Sequence, residues 1–383
     1  MVQAPCGIGA LFTAIALVCG LVGCGSATGT NKSQSTETMS KSRSTGTVKK
    51  SQSTGPAKKS QSTRTMKLHC FGAPGACGYP DPAHGTAGAR SACASLPSSG
   101  SITTSRDGQT ISNLSVTGTI TVQNPRVTIN NVCVTADGGA RIGSAAISLQ
   151  GAASNTLIQY VTVAGANRSD HSVEQAVVNE NGGAATLSHA YLHACGECIH
   201  DSWTANDSYI VSDGMQGTSD HVEDVYYDSP GGGSFNHDVL LNPWPQTAVI
   251  FGDNTRGGPC ASQLTLTHSL IAGGALPLWS CGGMKSSTVG SSTINISGNA
   301  WARCTTKPFY KNPTTGGTSC RGNAGTAIAA GADSHGYWPL VGYQWPTNLQ
   351  FCPPISRQTF ENNWYDDTGQ PLKCANPYGP QKR

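Results

Sequence analysis

From residue 109 to 297 the chain repeats one short pattern: a β-branched or aliphatic run, a turn rich in Gly, Asn, Ser or Asp, then another run. Its instances include "TISNLSVTGTITV", "RVTINNVCV", "TLIQYVTV", "ATLSHAYL", "SFNHDVLL", "QLTLTHSLI" and "STINIS". Ile129, Ile158 and Leu187 head three runs spaced 29 residues apart; Phe235 follows 48 residues on, after two turns, and Leu266 after a further 31. Helical periodicity is missing from every segment longer than about ten residues, so strand runs between Gly-rich turns predict an all-β chain. A sandwich would turn every ~8–12 residues. The longer recurrence suits a solenoid, in which each coil buries its inward side chains against the coils above and below. Two residues after each leading apolar residue stands a column of Asn131, Tyr160, His189, His237, His268 and, if Ile296 heads its coil, Gly298. It reads first as a structural stack at a turn and second as a set of ligands.

The start of the chain obeys different rules. Residues 7–23, "GIGALFTAIALVCGLVG", are uncharged and mostly apolar, too short for a bilayer span of about 20 residues. They have the length and small-residue end of a secretory signal. "LVGC", Leu21 to Cys24, resembles the lipobox of bacterial lipoproteins, which predicts lipidation of Cys24 and a membrane anchor outside the cytoplasm. No Lys or Arg precedes the run, a departure from that pattern, and a plain cleaved signal or an anchor helix is the alternative. Residues 24–67 are expected to be a disordered linker. From Lys32 they hold four nonapeptides, "KSQSTETMS", "KSRSTGTVK", "KSQSTGPAK" and "KSQSTRTMK", with too little apolar surface to offset the entropy of ordering.

Charge and cysteine usage follow the same division. Residues 25–67 carry a net +8 and residues 68–383 a net −5, so a basic stalk carries an acidic domain. The domain lacks a basic patch interleaved with aromatics, so no nucleic-acid partner is expected. Beyond Cys24 there are twelve cysteines, an even set that in an exported chain reads as a framework of up to six disulfides. The expected organisation is a signal at 1–23, the linker at 24–67, an N-terminal cap at 68–110, the solenoid at 111–300, and a disulfide-pinned C-terminal cap and tail at 301–383. A monomer is expected.

Five stretches carry a resemblance: "CGYPDPAHGTAGA" (Cys77–Ala89), "QTISNLSVTGTITVQNPRVTINNVCV" (Gln109–Val134), "HVEDVYY" (His221–Tyr227), "NHDVLLNPWPQTAVIFGDN" (Asn236–Asn254) and "NNWYDDTGQPL" (Asn362–Leu372). Over roughly residues 75–375 the chain resembles the single-stranded right-handed parallel β-helix proteins of the pectin-lyase-like superfamily. That resemblance implies the fold and leaves the activity open, since the superfamily holds lyases, hydrolases, epimerases and non-catalytic adhesins. Pectate lyases of this fold typically use an Arg or Lys base beside calcium-binding Asp residues, and polygalacturonases carry NTD, DD, GHG and RIK signatures. Here NTD, GHG and RIK are absent, and the one DD lies in the closing segment, at Asp366–Asp367.

The acids are unevenly placed. Between residues 170 and 253 there are thirteen Asp or Glu, six of the ten histidines, and no Lys or Arg. Taking "CIHDS", "HVEDV" and "TAVIFGD" as stacked strands, with Ile199, Val222 and Val225 inward, the two-residue alternation turns His200, Glu223 and Asp224 outward. Glu180, Asp201 and Asp253 would flank them in an anionic groove. Candidate catalytic residues are Glu223, Asp224, His221, His200 and Asp201, because paired carboxylates suit glycoside hydrolysis and histidine supplies a base where Arg and Lys are missing. Glu223 and Asp224 are also candidate calcium ligands, the ion bridging to an acidic sugar. Trp203 and Trp244, with Glu180 and Asp253, are candidate sugar contacts. The expected partner is an extracellular polysaccharide, bound by the domain, with cleavage left open and, if it occurs, of lyase or glycoside-hydrolase type; the alternative is a non-catalytic adhesin or structural protein. "HACGECIH" holds the ligand types of a zinc site, but its tight spacing and the even cysteine count favour a disulfide.

Overall fold

The structure, a computed structural model, describes residues 70–136, 144–166, 173–214, 222–227, 232–242, 248–253, 263–273, 276–282, 293–302, 310–311, 318–319, 358–366 and 368–371. The signal and linker, Cys24 included, lie outside them.

The described chain is all-β with long parallel sheets. It alternates between a sixteen-stranded sheet and an eight-stranded sheet, so neighbours in each sheet come from successive repeats. The arrangement is compatible with a parallel β-helix. The register follows the predicted period: Ile111, Ile129, Ile158, Leu187, Ala205, Phe235, Leu266 and Ile296 pair in sequence across the first sheet. A column on the second sheet runs Ile120, Ile147, Val177, Ile199, Val225, Ile250. Both columns are buried and belong to one continuous hydrophobic core.

Each passage through the first sheet bends at one residue with positive φ. These are Asn113, Asn131, Tyr160, His189, Asp207, His237, His268, Gly298 and Asn362, with φ between 51° at His189 and 68° at Gly298. The predicted column is therefore a column of left-handed turns. Asn, Asp and His tolerate that region best among residues with a Cβ, which explains why they fill seven of the nine positions. The stack also makes side-chain contacts: Asn131 Nδ2 donates to Asn113 Oδ1 at 2.7 Å. The Tyr160 and His189 rings stack with centroids 4.7 Å apart. The Arg90 guanidinium lies 3.5 Å from the Tyr160 ring centroid.

After the bend, strands Tyr209–Val211, Val239–Asn242, Leu270–Gly273 and Ala300–Ala302 are apolar on both faces. Runs of this kind are buried on both sides, and the cover here is the segment expected as an N-terminal cap. That segment divides in two. Ser98–Ser99 and Ile102–Thr103 do start the stack, pairing with Ser115–Val116 and Ile120–Thr121. Residues 70–93, by contrast, lie along its side. Cys70, Phe71 and Tyr79 pack on Val239, Leu270 and Ala300. The Asp366 carboxylate accepts the backbone N–H groups of Cys70 and Phe71, both at 3.0 Å. Cys93 is disulfide-bonded to Cys133 near the other end. The one DD pair of the sequence thus contributes a clasp for this strap. Gln358–Glu361 and Trp364–Tyr365 extend the first sheet by a further repeat.

Candidate functional site

The second sheet places the acidic strands as neighbours. Cys195–His200, Glu223–Tyr227 and Ala248–Asp253 pair in parallel, with Ile199 opposite Val225 and Val225 opposite Ile250. On the outer side, His200 lies in register with Val178 and Tyr226. Its Nδ1 is 3.3 Å from Glu197 Oε2, and each of these side chains is 12% exposed. Gln175 Nε2 is hydrogen-bonded to the same ring nitrogen, and the Tyr226 ring meets the imidazole edge-on at 5.0 Å. Glu197 also stands in register with Glu223. Like charges so placed repel, and the His200 imidazole 3.3 Å from Glu197 serves as a counter-charge only when it is protonated.

Two expected orientations are corrected. Glu223 and Asp224 do not face an open groove: both are fully buried. The connection at 211–213 closes over the start of their strand. Ser212 N donates to Asp224 Oδ1 at 2.9 Å, and the sulfurs of Cys195 and Cys198 lie 3.8 and 3.4 Å from the Val211 carbonyl oxygen. Burial pushes the Asp224 carboxyl well above its usual range; the bond from Ser212 offsets part of this, and nearby Asp213 adds to the rise. A fully buried carboxylate oxygen that accepts a backbone N–H does not stand among the accessible charged and carbonyl oxygens, six to eight of them, that calcium gathers. Among the described residues no three His, Cys, Asp or Glu side chains converge to hold a metal. Trp203 is also buried, 2% exposed, with Nε1 donating to His200 O at 3.0 Å. It pins the turn after the strand and offers no ring face for sugar stacking.

The remaining candidates fall into three groups. Asp201 is buried at a positive-φ turn, its N–H donating to Tyr226 O at 2.8 Å. It adds to the rise that burial imposes on the Tyr227 phenol. Glu180 is exposed and accepts from Ser148 Oγ at 3.0 Å and Gln150 Nε2 at 3.2 Å, so it belongs to earlier strands of the sheet. His221, Trp244 and the Asp253 side chain lie outside the described residues. Cys195 and Cys198 form a disulfide, as the sequence favoured, and His193 stacks on Tyr191 at 4.3 Å; no zinc cluster is assembled.

Two features escaped the sequence reading. Glu197 was passed over because the strand begins at Cys195, three residues before the expected start. The second is a buried polar ladder one residue after the left-handed turn. Ser208, Asp238, Ser269, Asn299 and Asn363 are all at most 2% exposed. Asp238 Oδ1 accepts Ser208 N at 2.7 Å, Ser269 Oγ accepts Asp238 N at 3.0 Å, Asn299 Oδ1 accepts Ser269 N at 2.9 Å, and Asn363 Oδ1 accepts Asn299 N at 3.1 Å. Polar residues recurring beside the turn column every 30 or 31 residues from Ser208 to Asn299 were the available signal.

No protein-family model, curated protein or solved structure matches the chain.

Proposed function

We propose that the chain is an exported, lipid-anchored protein with a right-handed parallel β-helix of the pectin-lyase-like kind, and that the outer face of its second sheet binds an extracellular polysaccharide. The observation that supports this best is the partly open Glu197–His200 pair, flanked by Gln175 and Tyr226. A carboxylate accepts sugar hydroxyls, an amide both donates and accepts, and an imidazole accepts or donates with its protonation state. The catalytic form of the proposal gives proton transfer to His200, with Glu197 holding the ring. Binding without turnover is the form favoured here, because burial of Glu223 and Asp224 takes away the exposed carboxylate pair that glycoside hydrolysis uses.

Incubating the full chain with neutral and acidic polysaccharides, while following both retention on the polymer and new reducing ends, separates these forms. Retention without reducing ends is the expected result. Reducing ends that accumulate with time, and vanish in His200→Ala, would replace the binder with an enzyme. Absence of both on every polymer would sink the proposal.

A further inference from the structure

The strands that precede the left-handed turns present a different outer face. Alternation about the buried column of Leu187, Ala205, Phe235, Leu266 and Ile296 turns two flanking columns outward. One reads Thr186, Thr204, Ser234, Thr265, Asn295, Thr359; its members pair directly from strand to strand. The other reads Ser188, Asn206, Asn236, Thr267, Ser297. All eleven side chains are half-buried or exposed, and none is charged. Strand spacing repeats this pattern about every 4.8 Å. Within these columns the face is the reverse of the second sheet's acidic side: hydroxyls and amides in rows, with no ionisable member until Glu361 beyond Ser297, although the turn residues His189, Asp207, His237 and His268 border the second column.

The edge of this face is also concave. A depression of about 270 Å³ runs across four successive strands, its floor shaped by Gly182, Gly183 and Gly232 and its wall by Thr204, Ser234 and Thr265. Gly183 and Gly232 let the neighbouring backbone approach closely at this edge. A Cβ at Gly232 would meet the Gln263 carbonyl oxygen at 1.9 Å, and one at Gly183 would meet the Ala153 carbonyl oxygen at 2.7 Å. A depression lined by uncharged residues, with the Thr204, Ser234 and Thr265 hydroxyls able both to donate and to accept, matches a partner with the same hydroxyl chemistry.

We propose that this face is a second binding surface, for a neutral polysaccharide chain lying along the stack. Hydroxyls of successive sugar rings would meet successive strands. The absence of charge selects against acidic polymers, which gain nothing here to offset the loss of their hydration. Only the class of partner rests on the polysaccharide reading above; the location and the preference for a neutral chain stand on this face alone.

The test uses the full chain against insoluble cellulose and insoluble xylan, with soluble polygalacturonate in an affinity gel as the acidic comparator. The variants are the Thr204→Ala/Ser234→Ala/Thr265→Ala triple, the single Thr204→Glu at an exposed site, and His200→Ala, with circular dichroism melting as a check on folding. Retention on a neutral polymer, weakened at least tenfold by the triple and by Thr204→Glu while His200→Ala keeps it, is the expected result. Equal retention by both Thr204 variants and the wild type would overturn the proposal. So would retention only on polygalacturonate and dependent on His200, which leaves the second-sheet reading intact. Thermal hysteresis of ice growth without glycan retention would assign the face to an ordered water surface instead. No retention on any polymer would sink both proposals.

Discussion

The residue after each left-handed turn faces the same interior slot along the whole stack, yet the two halves of the molecule fill it differently. In the first half it is Leu114, Val132, Val161 and Ala190; in the second it is Ser208, Asp238, Ser269, Asn299 and Asn363. The first half fills the slot with apolar side chains and keeps the strand continuous through the bend, as in Thr128–Ala136 and Thr156–Gly165, until Ala190. There the strand already breaks between Ala185–Ser188 and Tyr191–His193, and Ser208 Oγ accepts the Ala190 N–H at 3.1 Å. The second half breaks each strand in two, as in Gly233–Asn236 and Val239–Asn242, which leaves a backbone N–H at the break. The polar side chain of the next repeat accepts it. Burying polar groups is tolerable where they are paired, so this slot admits two solutions whose requirements differ.

Exchanging the solutions is the strongest test. Val161→Asn places an amide among fully buried apolar neighbours and removes a packed side chain. A loss of about 4 kcal/mol is expected from lost burial plus unpaired polar groups, read as a lower urea midpoint. Next is Asn299→Ala, which strips Ser269 N–H of its acceptor and Leu266 O of its donor; about 3 kcal/mol should be lost, each orphaned buried group costing about 1–3 kcal/mol.

Asp238→Asn should act in the opposite direction. Burial, reinforced by Asp207, lifts the Asp238 carboxyl well above its usual range, more than its backbone hydrogen bonds lower it. A group with a raised folded pKa binds more protons folded than unfolded, so its contribution is present below about pH 4 and erodes as pH rises toward the folded value. The neutral amide keeps the acceptor for Ser208 N–H without that erosion. The variant should be more stable than wild type at pH 7, by about 1.4 kcal/mol for each unit of upward shift, and should converge with it below pH 4. Equal stability at pH 7 would mean that Asp238 is not buried as described. Smallest is Ser269→Ala, which removes the acceptor of Asp238 N–H for about 1 kcal/mol.

The contrast also explains what the sequence disclosed. The 29-residue period was legible because β-branched residues must recur wherever strands stack, and the turn column because Asn, Asp and His are what a positive φ tolerates with a Cβ present. The inward positions of Ile199 and Val225 followed from alternation alone. Burial of Glu223 and Asp224 did not, because it depends on the connection at 211–213 folding back over the strand start, a long-range contact with no local pattern. Trp203 looked like a sugar platform beside the strand, whereas its indole N–H is used by a turn carbonyl. The strap left no periodic trace: its short 3₁₀ turns, Cys70–Gly72, Pro74–Cys77 and Pro82–His84, are built from Gly and Pro, and its destination is fixed by Asp366 almost 300 residues away.

The functional proposal turns on the Glu197–His200 pair, and the most direct measurement is the affinity of the full chain for a polysaccharide panel, with His200→Ala and Glu197→Gln beside the wild type. The account predicts a retained polymer, a loss of at least tenfold in each variant, and unchanged melting. If every retained polymer keeps its retention through both substitutions, binding lies elsewhere on the molecule and the assignment of the second sheet's outer face is contradicted.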